Sequence, residues 1–243
     1  MIVTPQIAKI VDSYLNGKQF IVLRGGTRSG KTFSILSALI MIILTDKVKT
    51  INSVVAMTLP HLKKGAIRDF VTIMQSNGLY EDARWNRTDF SYTFANGSIL
   101  EFFSADSEKV HGAQRDRLFG NEVQFMNWET IRQLLVRTSG TSFFDYNPIR
   151  SLWIDEQILN NPEQHNNHVL FNSTYKDNPY LSPEQVRMIE SQRNDEVWWQ
   201  VYGEGQIGTI RTGCIYSGWE MIDDDTFDAI DYSPVYGLDF GFS

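Results

Sequence analysis

Cysteine is almost absent: the chain has 243 residues and one cysteine, Cys214. A single thiol excludes an intramolecular disulfide and a cysteine-rich zinc site. Histidine is scarce, and the four present do not fall at metal-ligand spacings. His165 and His168 are close, but their Asn-rich surroundings read as a polar loop. Long hydrophobic runs are missing. The apolar run from Phe33 to Leu44 is too short to cross a bilayer, and no signal-peptide pattern opens the chain. The expectation is a soluble, cytoplasmic protein with no membrane partner. Internal repeats and low-complexity stretches are also lacking. Positive charge is missing from one end. Residues 212–243 hold no Lys or Arg and seven acids, among them Asp223-Asp224-Asp225. All 22 basic residues therefore lie in 1–211, against the remaining 22 of 29 acids. The net charge of −7 belongs to the tail, and the body is neutral. A neutral body can carry a local basic face, but it does not read as a tight, static nucleic-acid binder.

What is present is organised around Leu23-Arg24-Gly25-Gly26-Thr27-Arg28-Ser29-Gly30-Lys31-Thr32. This stretch matches G-x-x-x-x-G-K-[ST]. The apolar run Gln19–Leu23 before it reads as a buried strand, and Phe33–Leu44 after it reads as a helix. Strand, glycine loop and helix together suit a nucleotide phosphate. Glycines let backbone N–H groups turn toward phosphate oxygens, and the helix N-terminus adds partial positive charge. Lys31 would reach the β- and γ-phosphates of ATP, and the Thr32 hydroxyl would ligate Mg²⁺.

Along the rest of the chain, Ile7–Leu15 reads as a short amphipathic segment opened by Thr4-Pro5-Gln6. Ser53–Met57 reads as a second buried strand. Lys63–Met74 has helical spacing, with Lys63, Lys64 and Arg68 on its polar side. Phe90–Phe94 and Ile99–Phe103 flank Asn96-Gly97, which predicts a hairpin with positive φ at the turn, either inserted or at an antiparallel edge. Short strands are expected at Leu118–Gly120, Thr141–Phe144 and Val169–Phe171. Helices are expected at Trp128–Val136 and Pro183–Arg193, the latter capped by Ser182. Val197–Tyr202 should pack back on the body. The alternation predicts an α/β fold: a mostly parallel sheet with helices on both faces and an added hairpin. Its ligand should lie at the carboxyl ends of the strands.

Hydrolysis also needs a group that positions water and one that holds Mg²⁺. An apolar strand ending in Asp-Glu supplies both. Here the pair is Asn121-Glu122. Glu122 is the candidate base, and Asn121 stands where the metal-shell aspartate is expected, able to contact Mg²⁺ through a bound water.

Several segments together resemble one family. They are GGTRSGKT, Phe102-Phe103-Ser104-Ala105-Asp106, His111-Gly112, Asn121-Glu122, Phe143-Phe144-Asp145-Tyr146-Asn147-Pro148, Ser173-Thr174-Tyr175-Lys176-Asp177-Asn178-Pro179 and Trp199-Gln200-Val201-Tyr202-Gly203-Glu204-Gly205. Their order and spacing resemble the large terminase subunit of tailed bacteriophages, and within it the PBSX-like branch with its S-x-N-P and T-Y-x-D-N-P segments. The resemblance implies a RecA-like P-loop ATPase that drives double-stranded DNA into a procapsid. It also implies a ribonuclease H-like nuclease further along the full-length protein. Implied partners are DNA, the portal protein of the procapsid and the small terminase subunit. The working form would be a homo-oligomeric ring in the host cytoplasm, absent from the mature virion, with a monomer in isolation. Carried over by residue, Lys31 and Thr32 hold phosphate and Mg²⁺, Arg28 is the loop arginine and Glu122 the catalytic glutamate. Asn147 lies in the segment that couples hydrolysis to motion. Gln6 matches the adenine-recognition glutamine.

The chain departs from the family at His111-Gly112, where an Arg-Gly is frequent. A neutral imidazole cannot replace a guanidinium fork, which leaves Arg115 or Arg117 as candidates for an arginine acting across a subunit boundary. The implied organisation is an ATPase domain over 1–211, an acidic linker over 212–234, and the first strand of a truncated nuclease domain over 235–243, with Asp239 as an incomplete metal site. Two alternatives stay open: another P-loop translocase or helicase-like enzyme, and a nucleotide-binding docking module with little hydrolysis.

Overall fold

The computed structural model describes residues 2–208 apart from Ala113. The expected linker over 212–234, the terminal strand and Asp239 lie outside the described residues. Among the described residues, one sheet is built from β1 (Phe20–Gly25), β2 (Ile51–Ala56), β3 (Trp85–Asn86), β4 (Ser91–Thr93), β5 (Ile99–Ser104), β6 (Arg117–Gly120), β7 (Ser142–Tyr146) and β8 (His168–Ser173). Their order is β3-β4-β5-β2-β6-β7-β1-β8. Every pairing from β5 to β8 is parallel, and β3 and β4 add an antiparallel edge. The helices are α1 (Pro5–Leu15), α2 (Lys31–Thr45), α3 (Leu59–Lys64), α4 (Ala66–Ser76), α5 (Lys109–Gly112), α6 (Trp128–Val136), α7 (Pro183–Glu190) and α8 (Glu196–Trp198).

The central strands read as continuous apolar runs because both of their faces are buried. Successive side chains of a strand alternate between faces. Ile21 and Leu23 of β1 and Phe143 of β7 pack with Ile7 and Ile10 of α1, Ile35 and Leu39 of α2, and Phe70 of α4. Phe20 and Val22 of β1, with Phe144 and Tyr146 of β7, pack on the opposite face with Ile131 and Leu134 of α6 and with Ile154 and Ile158. α2 is apolar almost all round because it is buried almost all round.

The local signals hold well at several places. Thr4 caps α1 with Pro5 in its first turn. Ser182 and Gln185 form a capping box at α7. Two expectations need correction. The helix predicted over Lys63–Met74 is two helices broken at Gly65, whose backbone (φ −109°, ψ −102°) leaves the helical region. The hairpin forms at the antiparallel edge, but of the turn pair Asn96-Gly97 only Gly97 has positive φ (+83°). Gly97 N–H donates to Phe94 O and Phe94 N–H to Ser98 O, so the loop is a turn followed by one left-handed residue rather than a two-residue turn with both angles positive. An aromatic cluster fastens this edge to α4: Phe70 lies 5.4 Å from Tyr92 and 5.5 Å from Phe102, ring centre to ring centre.

Candidate functional site

β1 delivers the glycine loop at the carboxyl edge of the sheet, and α2 begins at Lys31 with Gly30 as its cap. The loop is braced from three sides. Gly26 N–H donates to Ser173 O at the end of β8, and Thr27 N–H donates to Tyr202 O. Asn178 Nδ2 donates to Arg28 O at 2.8 Å. Glycine at 25 has a steric cause, since a Cβ there would lie 2.0 Å from Ser173 O. Arg28 is exposed with φ +54°, a conformation that costs a non-glycine residue energy and tends to cluster at functional sites. Lys31 folds over its own loop, with Nζ donating to Gly25 O (3.0 Å), Gly26 O (2.7 Å) and Ser29 Oγ (3.2 Å). Burial lowers its ammonium pKa to about 8, opposed by the charges of Asp145 and Glu122.

Because β2, β6, β7 and β1 are adjacent and parallel, the residues after each strand meet at one edge. The Thr32 hydroxyl donates to Asp145 Oδ2 at 2.5 Å. Asn121 Nδ2 reaches Asp145 Oδ1 at 3.0 Å and Oδ2 at 3.2 Å, and Glu122 N–H donates to Asp145 Oδ1 at 2.6 Å. Asp145, at the end of β7, is 1% exposed. Burial raises its pKa, opposed by the Glu122 N–H, Thr32, Lys31 and Asn121. From sequence, Asn121 is expected beside Mg²⁺ and Asp145 has no role. The carboxylate touching Thr32 is Asp145, and Asn121 donates to it. Glu122 itself sits in the left-handed region (φ +53°, ψ +53°). Its Oε2 lies 2.8 Å from His61 Nε2 of α3. Burial and then the Asp145 charge raise the Glu122 pKa, while His61 and Lys31 lower it.

A cleft of about 400 Å³ is lined by Lys31, Thr32, Glu122, Asp145, Asn147 and Asp69, among others. Asp69 of α4, which carries no motif in the sequence, has a pKa raised by burial. Asn147 Nδ2 donates to Gly25 O at 2.8 Å, one of the carbonyls that Lys31 also uses. Gln6 stands in an adjoining cavity of about 240 Å³, lined by Ile7, Phe33, Pro179 and Tyr180 and shared at Ser29 and Gly30 with the loop. Gln6 Oε1 accepts from the Ser34 hydroxyl at 2.8 Å. The dimensions and apolar walls suit a flat ring, with an amide at its edge.

Arg115 and Arg117 are not at this edge. Arg117 opens β6 at its opposite end and Arg115 lies two residues before the strand; they are 6% and 2% exposed. Arg117 forks onto Asp46 at 2.7 and 2.8 Å and bonds Tyr14 and Asn52. Arg115 donates to Ser53 Oγ and Leu134 O. Buried and bonded, neither can reach a neighbouring subunit's nucleotide, which corrects the expectation. His61 and Asp145 lie outside the sequence motifs because each acquires meaning only through long-range neighbours. The one available signal was an acid closing the apolar run Ser142-Phe143-Phe144-Asp145.

The sequence profile described as "Phage terminase large subunit" matches residues 17–206. Among curated proteins none matches. The fold is that of solved large terminases. The large terminase of a thermophilic bacteriophage superposes with a TM-score of 0.74 at 20% identity, covering 86% of this chain and 54% of that one. The ATPase domain of the large terminase of a Thermus phage gives 0.58 at 16%, covering 78% and 89%. The bacteriophage HK97 large terminase gives 0.67 at 11%, covering 85% and 51%. The chain thus spans about half the length of the first and third of these proteins. The first, from the thermophilic bacteriophage, has been solved with ADP and with ATP-gamma-S. With the profile match running over most of its length and this fold beneath it, the chain belongs to the phage terminase large subunit family.

Proposed function

We propose that this chain is the ATP-hydrolysing motor portion of a phage terminase large subunit, of the PBSX-like branch, coupling hydrolysis to movement of double-stranded DNA into a procapsid. The observation that carries the reading is the convergence of Thr32, Asp145 and Glu122 on one cleft against the glycine loop. Gly25 to Thr32 wrap the phosphates. Lys31 exchanges the loop carbonyls for phosphate oxygens, and Arg28 at the rim adds positive charge. Gln6 reads the edge of the adenine. The Thr32 hydroxyl with the buried Asp145 carboxylate is a hard oxygen donor set of the kind that suits Mg²⁺. Bound with the nucleotide, Mg²⁺ would neutralise charge developing on the phosphate oxygens. Asn121 orients Asp145 rather than replacing it. Glu122 accepts the proton of the attacking water. Asn147, bonded to the loop's first glycine, is placed to transmit the change at the phosphate end.

The arginine completing the site comes from another chain of a ring, and neither Arg115 nor Arg117 supplies it. Portal protein and small subunit would be the further partners. DNA cutting belongs to the rest of a longer protein, to which Asp239 would contribute. The test is steady-state ATPase with and without double-stranded DNA. Slow turnover that DNA accelerates supports the motor reading. Turnover indifferent to DNA favours the docking module.

A further inference from the structure

Among the described residues, the Glu122 carboxylate has one side-chain partner. Its backbone is fixed by the N–H bond to Asp145 and by the left-handed turn. Its side chain is 34% exposed and carries three rotatable bonds, so the backbone alone does not place the carboxylate. The group that freezes it is His61, with Nε2 2.8 Å from Oε2. A carboxylate can only accept, so the imidazole donates Nε2–H. The backbone of His61 is set by the start of α3, and its ring has one aromatic neighbour. Thr58 caps α3 by accepting from His61 N–H, Pro60 occupies the first turn, and the ring lies 6.2 Å from that of Phe125. α3 follows directly from β2, the strand beside β6, so the donor and the glutamate sit on neighbouring strand ends.

We propose that His61 is a positioning residue for hydrolysis: it holds one oxygen of Glu122 so that the other is presented to the attacking water. This rests on Glu122 being the water-activating carboxylate. Losing a hydrogen bond to a charged group costs about 1.5–3 kcal/mol, which corresponds to roughly 10- to 100-fold in rate if all of it is expressed at the transition state.

The experiment is a double-mutant cycle on single-turnover hydrolysis, with ATP affinity and thermal melting measured on each variant. His61→Ala should slow hydrolysis about 10- to 100-fold while ATP affinity stays within about twofold. His61→Gln places an amide N–H near the position of Nε2 and should recover most of the rate. In a Glu122→Gln background, His61→Ala should cost little further, because the oriented group is already gone. Three results would each overturn the proposal: wild-type or faster hydrolysis in His61→Ala, an equal loss in His61→Gln, or losses that multiply in the double variant. Undiminished hydrolysis in Glu122→Gln alone would instead remove the base assignment on which the proposal stands. A His61→Ala chain that melts early leaves the His61→Gln comparison, in which absent rescue in a folded protein counts against it.

Discussion

Asp145→Asn separates a structural carboxylate from a metal-holding one. The side chain accepts from Glu122 N–H at 2.6 Å, Thr32 Oγ1 at 2.5 Å and Asn121 Nδ2 at 3.0 Å. The new amide keeps one oxygen, which can stay on the Glu122 N–H. Its NH₂ then faces Thr32, whose hydroxyl can rotate to accept. One charge-assisted bond is lost at about 1.5–3 kcal/mol. Relief of the buried charge offsets part of that, since uncompensated carboxylates are costly to bury. The net effect on stability should stay within about 2 kcal/mol, or roughly 4–8 °C in Tm for a chain of this size. The effect on Mg²⁺ should be larger, because removing a carboxylate from a metal's shell costs on the order of 10- to 100-fold in affinity. Calorimetry of ADP binding with and without Mg²⁺ reads this directly. Mg²⁺ should tighten ADP binding to the wild type and fail to do so for Asp145→Asn. Adding Asn121→Asp should restore the tightening by returning a carboxylate from the next strand. A full Mg²⁺ effect in Asp145→Asn would refute the reasoning and leave Asp145 a purely structural bond acceptor.

Two further outcomes follow from the same geometry. Arg117→Ala strips a buried partner from Asp46 and should cost about 3–5 kcal/mol, seen as a Tm drop of roughly 6–20 °C, with ADP affinity unchanged in the folded fraction. Gln6→Ala should weaken ATP binding about tenfold, the loss of roughly 1.4 kcal/mol, and erase discrimination between ATP and GTP in competition binding, because it removes the amide from the base-sized cavity.

The parts of the molecule legible in its sequence are those whose signal is local. The glycine loop, its flanking strand and helix, the α6 span and the Ser182 cap are each determined by residues within a few positions. The place of Glu122 beside the loop was legible because it follows a strand in a chain that carries a glycine loop. Asp145 was on view as a letter, but its role depends on β7 lying between β6 and β1, a fact of strand order that no short window carries. His61 depends on β2 pairing with β6 in the same way. Arg115 and Arg117 misled for the converse reason. Proximity to Glu122 in sequence says nothing about which end of a strand a residue occupies, and a strand of four residues is enough to bury them at the far edge. The break at Gly65 was a local signal outweighed by the regular spacing around it.

In the proposed function one cleft both binds ATP and cleaves it, with separate residues for each task. ATP binding and single-turnover hydrolysis measured side by side on Lys31→Ala and Glu122→Gln test it most directly. Lys31→Ala should lose ATP binding while keeping its fold. Glu122→Gln should bind ATP as the wild type does and hydrolyse it about 10²-fold or more slowly, the scale of a lost general base. Undiminished binding in the first variant, or wild-type hydrolysis in the second, would mean that Lys31 or Glu122 does not have its proposed role.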